Sequence, residues 1–138
     1  MKKLDHIAIY VDDITAGIRF YADLLGGSPV IANVPELGIN CAFFAPDSGP
    51  AIELVTFTGQ GELRHGDVVV AIEVDDLDAA LAHYRGLGLK VYDQPPTENL
   101  PLRRGWITKA QGHGTIIELC PAGAIAAFIA GLRTSAQA

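Results

Sequence analysis

The stretch LDHIAIYVDDITAGIRFYADLLG, residues 4–26, returns as DVVVAIEVDDLDAALAHYRGLG at residues 67–88. Ile9, Val11, Asp12, Asp13, Ala16 and Tyr21 match Ile72, Val74, Asp75, Asp76, Ala79 and Tyr84 at one constant offset, the mark of a structural unit used twice. In each copy an alternating apolar strand, HIAIYV or VVVAIEV, runs into an acidic pair. Aspartates there can cap a helix and favour its positive end, so they need no catalytic role. Ile14, Ile18, Tyr21 and Leu25 then recur at helical spacing, as do Leu77, Leu81, Tyr84 and Leu87, with Gly26 and Gly88 as stops.

Working outward, each copy continues through three β-compatible segments. They are SPVIANV, NCAFFAP and PAIELVTF in the first, then LKVYDQP, GWITKAQ and GTIIELCP in the second, divided by Gly, Pro, Asp and Asn. The order is βαβββ, twice. A chain of 138 residues suits one domain and is too short for two independent cores, so the copies share one. The expected fold is α+β, with two tandem βαβββ modules forming a curved sheet around a central cavity. Module one covers about residues 3–60, module two about 64–122, and a C-terminal helix and tail 123–138. In that last segment Ile125, Phe128, Ile129 and Leu132 form an apolar stripe expected to cover a sheet edge or a second subunit, while TSAQA frays.

Side chains along a strand alternate faces. In Ile52-Glu53-Leu54 and Ile117-Glu118-Leu119 each glutamate therefore points away from the apolar face that a helix covers, into the cavity. His6, Ala8 and Tyr10 share one face of the first strand, so His6 also looks inward. One imidazole and two carboxylates on a concave surface are donors of the kind that bind a divalent metal. A hydrogen-bonded core histidine, and glutamates paired with arginine, would satisfy the same groups without one.

Composition narrows the functions. Hydrophobic residues make up 49% and charged residues 19%, as in a soluble globular protein. The net charge of -6, with no Lys or Arg run beyond two, argues against a nucleic-acid partner. Asp5, Asp12 and Asp13 interrupt what would have to be the apolar part of a signal peptide, and no apolar run reaches membrane-spanning length. A cytoplasmic protein without a membrane partner is expected. Cys41 and Cys120 lack redox or zinc spacing and read as buried free thiols.

The whole pattern, from LDHIAIYVDD to GTIIELCP, resembles the vicinal oxygen chelate superfamily of glyoxalases, bleomycin-resistance proteins, dioxygenases and epimerases. Within it LDHIAIYVDD, VPELGI, AIELVTF and GTIIEL are most similar to the methylmalonyl-CoA epimerases. The resemblance implies His6, Glu53 and Glu118 as three of four metal ligands. The fourth position, a histidine in the family, falls on Val69, which cannot ligate. It also implies Glu36, in VPELGI, as a catalytic base, with Glu118 as the second proton-transfer group. The expected cofactor is a divalent ion, cobalt, manganese, nickel or zinc, with water completing the shell.

His65 lies four residues before Val69 and reads as a loop histidine. Arg103, Arg104, Trp106 and His113 cluster near the last two strands, where they meet an anionic or planar ligand or else serve as surface ion pairs and core packing. Pro95 and Pro96 suggest a stiff loop over the rim. The resulting expectation is a metal-assisted isomerase or epimerase acting beside a carbonyl, on a small molecule such as an acyl-CoA, as a homodimer. The alternatives are a metal-free ligand-binding or drug-sequestering protein of the bleomycin-resistance type and a glyoxalase I-like lyase. An extradiol dioxygenase is disfavoured because two histidines plus a carboxylate are not available.

Overall fold

The computed structural model of the chain describes residues 1–59, 61 and 63–137. The first module runs β1 (Leu4–Tyr10), α1 (Ile14–Leu25), β2 (Val30–Val34), β3 (Ile39–Phe44) and β4 (Ala51–Phe57). The second runs β5 (Val68–Val74), α2 (Leu77–Gly86), β6 (Val91–Gln94), β7 (Arg104–Ile107) and β8 (Ile116–Pro121), and α3 (Ala124–Gln137) ends the chain. All eight strands form one curled sheet in the order β2-β3-β4-β1-β5-β8-β7-β6. The modules meet edge to edge through antiparallel β1 and β5.

Each acidic pair does what a helix start requires. Asp13 accepts from the Ala16 amide at 3.1 Å and Asp76 from the Ala79 amide at 3.0 Å. Helix α1 packs Ile14, Ile18 and Tyr21 against Leu54, Ala42 and Phe44 on the convex face. Helix α2 sets Leu77 and Leu81 against Val74, Val91, Ile107 and Leu119. Gly105 permits that approach, since a Cβ there would meet the Leu81 side chain at 2.8 Å. The stripes end sooner than their periodicity suggests: Leu25 and Leu87 are exposed, the first as the last residue of α1 and the second as the cap that follows α2.

Two further segments differ from expectation. The strand in GWITKAQ stops at Ile107, and residues 109–113 turn instead. The C-terminal tail does not fray at Thr134: α3 continues to Gln137, with the Thr134 hydroxyl donating back to the Ala130 carbonyl, and Ala138 lies outside the described residues. From the concave side α3 lies against the edge strand β2 and against β8. Ile125, Phe128, Ile129 and Leu132 enter the concave side and pack on Ala32, Cys41, Phe43, Ala51 and Cys120. Phe128 meets Phe43 edge-on at 6.1 Å. The expected boundary at residue 60 also lies outside the described residues. Among the described residues no helix is long and apolar enough to cross a membrane.

Candidate active site

Strand register brings the three inward ionisable residues together. Ala8 lies beside Glu53 across β1 and β4, and Ala71 beside Glu118 across β5 and β8. Across the join, His6 faces Ala71 and Ala8 faces Val69. Val69 therefore holds in the second module the place that His6 holds in the first.

His6 is buried, with 1% of its surface exposed. Its Nε2 lies 3.2 Å from Glu53 Oε1 and 3.0 Å from Glu118 Oε1. Neither oxygen stands where an Nε2–H bond would point, and this nitrogen has no hydrogen-bond partner. Nδ1 is taken by Asp5 Oδ2 at 2.5 Å. Neighbouring strand residues normally face opposite ways, but the β1–β5 register shifts between Leu4 and His6, a bulge that swings Asp5 round to the imidazole. Burial alone would lower the His6 pKa, but Asp5, Glu118 and Glu53 overcome it and push it up to about 12.

Glu118 is buried and bridges two cations: Oε1 faces His6, and Oε2 accepts from Arg104 Nη1 at 2.9 Å. Its pKa falls below the ordinary range, because His6 and Arg104 outweigh the burial that would raise it. Arg104 is thus a buried partner, whereas Arg103 makes surface pairs with Asp78 and Asp93 at 2.7 and 2.8 Å. Gln94 accepts from Arg104 Nη2 at 2.6 Å and from Trp106 Nε1 at 2.8 Å. The guanidinium stands 5.2 Å from the Trp106 ring centre. Burial beside Glu53 and Glu118 raises the Tyr10 phenol.

These groups wall an open cavity of about 670 Å³, which also touches Val69, Glu36 and Pro95. His6 does not line it; the imidazole is buried beside Glu53 and Glu118, which do. A larger groove of about 1090 Å³ passes Asp12, Asp13 and His65, but His65 and Asp12 there are solvated surface groups. His65 accepts from the Asp12 amide, as a loop residue away from the site. His113 adopts a positive φ of 56° in a turn and does not line the cavity.

Glu36 stands apart from the buried cluster, at the mouth. Pro35–Leu37 form a 3-10 turn closed by Gly38 at φ 66°, where a Cβ would run into the Thr58 hydroxyl. The turn hands the Glu36 carboxylate to Asn99, whose backbone amide and Nδ2 donate to it at 2.6 and 2.9 Å. Those bonds hold Glu36 down at about 2. A residue of the first module is so clasped to the β6–β7 loop of the second.

The donor set suits a divalent cation in chemistry and partly in spacing. Ligand atoms sharing one ion at about 2.0–2.2 Å lie about 3 Å apart, near the two distances from Nε2. A bonded Nδ1 and a partnerless Nε2 also match the carboxylate–histidine arrangement of metal sites. The three donor atoms are not all within 4.8 Å of one another, so an ion bound by all three requires the carboxylates to close in. The described cluster that does meet that limit is Asp5, His6 and Cys120, behind the imidazole. There Nδ1 already serves Asp5, and burial pushes the Cys120 thiol up, away from the thiolate a metal needs.

Paired βαβββ modules in one curled sheet, with a central histidine between carboxylates, define the glyoxalase class of fold. The chain belongs to the Glyoxalase/Bleomycin resistance protein/Dioxygenase superfamily, whose model matches residues 3–119. Solved structures similar to it include the methylmalonyl-CoA epimerase of Mycobacterium tuberculosis, 28% identical over 91% of each chain with a TM-score of 0.69. A Streptomyces coelicolor methylmalonyl-CoA epimerase variant in complex with 2-nitronate-propionyl-CoA is 24% identical, over 88% of this chain and 97% of that one, with a TM-score of 0.68. A methylmalonyl-CoA epimerase in complex with methylmalonyl-CoA and NH4+ is 24% identical, over 90% and 97%, also at 0.68. At 24% the likeness speaks for the fold alone. Among curated proteins the chain has no match.

Proposed function

We propose that the chain is an isomerase of the methylmalonyl-CoA epimerase type, moving a proton at the carbon beside the carbonyl of an acyl-CoA, with a divalent cation held by His6, Glu53 and Glu118. The observation that carries this reading is the buried His6 Nε2, flanked by two carboxylate oxygens and without a hydrogen-bond partner. The 28% identity to an epimerase over nine-tenths of both chains supports the same chemistry. When bound, such an ion supplies Lewis-acid polarisation of the carbonyl oxygen. Asp5 fixes the ring so that Nε2 faces the ion, and His6, a cation among its carboxylates, has to lose its proton to ligate.

Glu36 takes the proton from one side of the carbon; Glu118 stands on the other and, because His6 and Arg104 keep it ionised, has to gain a proton before it can return one. For that, Glu36 has to leave Asn99, because two hydrogen bonds to the carboxylate keep it a weak base. Substrate entering the mouth displaces the clasp and restores ordinary basicity. The test is metal analysis of protein purified without chelator, followed by deuterium exchange into methylmalonyl-CoA in heavy water. Exchange is expected with the loaded protein and a drop of at least about a hundredfold in His6→Ala; undiminished exchange in that variant overturns the reading.

Val69 and the Arg104–Glu118 pair favour one other reading, a metal-free ligand-binding protein of the bleomycin-resistance type. In that case a ligand raises the melting temperature equally with and without chelator.

A further inference from the structure

Tyr10 ends the inward row that His6 begins on β1, a strand at the middle of the sheet. Register fixes its surroundings. Tyr10 lies beside Val55 across β1 and β4, Glu53 lies beside Ala8, and Ala8 faces Val69 across the join of the modules. Glu53 and Val69 are therefore its diagonal neighbours on the concave face, within reach of an aromatic side chain. The phenol borders the corner to which Val69 brings no polar atom, and it walls the same cavity as Glu36, Glu53 and Glu118.

The ring is placed while the hydroxyl is uncommitted. Tyr10 packs on the core that α3 closes, and its backbone is bonded to the Gly66 amide and the Asp67 carbonyl. Among the described residues its Oη has no hydrogen-bond partner, so the O–H is left to turn toward a ligand. Tyr92, the other phenol of the wall, stands on the edge strand β6 with 54% of its surface exposed. The fold does not ask for a phenol at residue 10, since the repeat puts Glu73 at the matching place in the second module.

The chemistry does ask for a donor. Taking a proton from the carbon beside a thioester carbonyl puts negative charge on the carbonyl oxygen, here on a wall that carries Glu36, Glu53 and Glu118. A phenol, with an ordinary pKa of about 10, is still an O–H donor where carboxylates act as bases. We propose that Tyr10 is a catalytic residue, the hydrogen-bond donor to the substrate's thioester oxygen as charge gathers there. This rests on the acyl-CoA reading above. No proton changes hands at Tyr10: as Glu36 takes the proton from the carbon, the electron pair left behind spreads onto the oxygen, and the phenol bonds to it more strongly than to the neutral carbonyl.

The test compares wild type with Tyr10→Phe, which keeps the ring and removes the hydroxyl, in manganese buffer. Deuterium exchange into methylmalonyl-CoA is expected to lose about a hundredfold in kcat, with KM within about threefold. The infrared carbonyl band of bound propionyl-CoA, labelled there with carbon-13, should lie lower in wild type than in the variant, a shift that a residue merely propping the fold would not produce. Undiminished kcat, a loss confined to KM, or coincident bands overturns the inference, while exchange by wild type leaves the acyl-CoA reading standing. If Tyr10→Phe does not fold, Tyr10→Gln, which has a donor, set against Tyr10→Leu, which has none, reads the same difference, and equal rates overturn it. Wild type that does not exchange defeats the acyl-CoA reading, and this inference with it.

Discussion

The two modules repeat one backbone and differ on one face. Glu53 and Glu118 hold matching places beside Ala8 and Ala71, yet around them the first module sets Val30, Ala32, Cys41 and Phe43 where the second sets Tyr92, Gln94, Arg104 and Trp106. The apolar set is sealed by α3, and all four of the polar set wall the cavity. His6 against Val69 adds the same asymmetry in reverse, since here the first module supplies the polar group. Duplication thus preserves strand register, which every backbone hydrogen bond enforces, and leaves inward side chains free to diverge.

The largest test of that comparison sets the paired glutamates against each other. Glu118→Gln breaks a buried contact to two cations and should cost about 3–5 kcal/mol in denaturant unfolding. Glu53→Gln, which faces one cation, His6, should cost about 1.5–2 kcal/mol. Equal losses would erase the distinction. Next, Ile129→Ala removes a buried side chain from the seal over the first module and should cost about 3 kcal/mol, measured the same way. A loss under about 1 kcal/mol would mean that α3 rests on the face without holding it.

Val69→His gives the second module the first one's imidazole. Affinity for manganese or zinc, followed by calorimetry, should rise about tenfold. An unchanged value would show that the missing ligand is not what separates the halves. The smallest effect is expected at the clasp. Glu36 sits at about 2 in the folded chain against 4.5 for a free glutamate, so its contribution to stability is complete above pH 4.5 and lost as pH falls through 2. Asn99→Ala should therefore melt slightly below wild type at pH 6 and together with it near pH 2. A gap that persists in acid would mean that Asn99 stabilises by some route other than Glu36.

Much of this was legible from residue order. Strand parity alone turns His6, Glu53 and Glu118 to one side, because alternation is a property of the backbone. The repeat likewise carries the helix caps and the position of Val69. What escaped depends on contacts that no period encodes. Asp5 reaches His6 through a bulge that breaks the parity rule. Arg104 looks like its neighbour Arg103 in sequence, and only the facing strand tells that one meets Glu118 and the other meets solvent-side aspartates. Glu36 and Asn99 are 63 residues apart and belong to different modules. The stripe of α3 announced an apolar partner without saying that the partner was the inside of the sheet.

That placement of α3 bears on how many ligands one chain can hold. A doubled scaffold with a glutamate in each half could saturate in two steps, one ligand per half. Because one end of the concavity is filled by the chain's own Ile125, Phe128 and Ile129, the described residues leave beside Glu53 and Glu118 one cavity that both halves line. A ligand taken up there is expected to saturate one chain along a simple hyperbola ending at one equivalent, so that a sigmoid response would have to arise between chains.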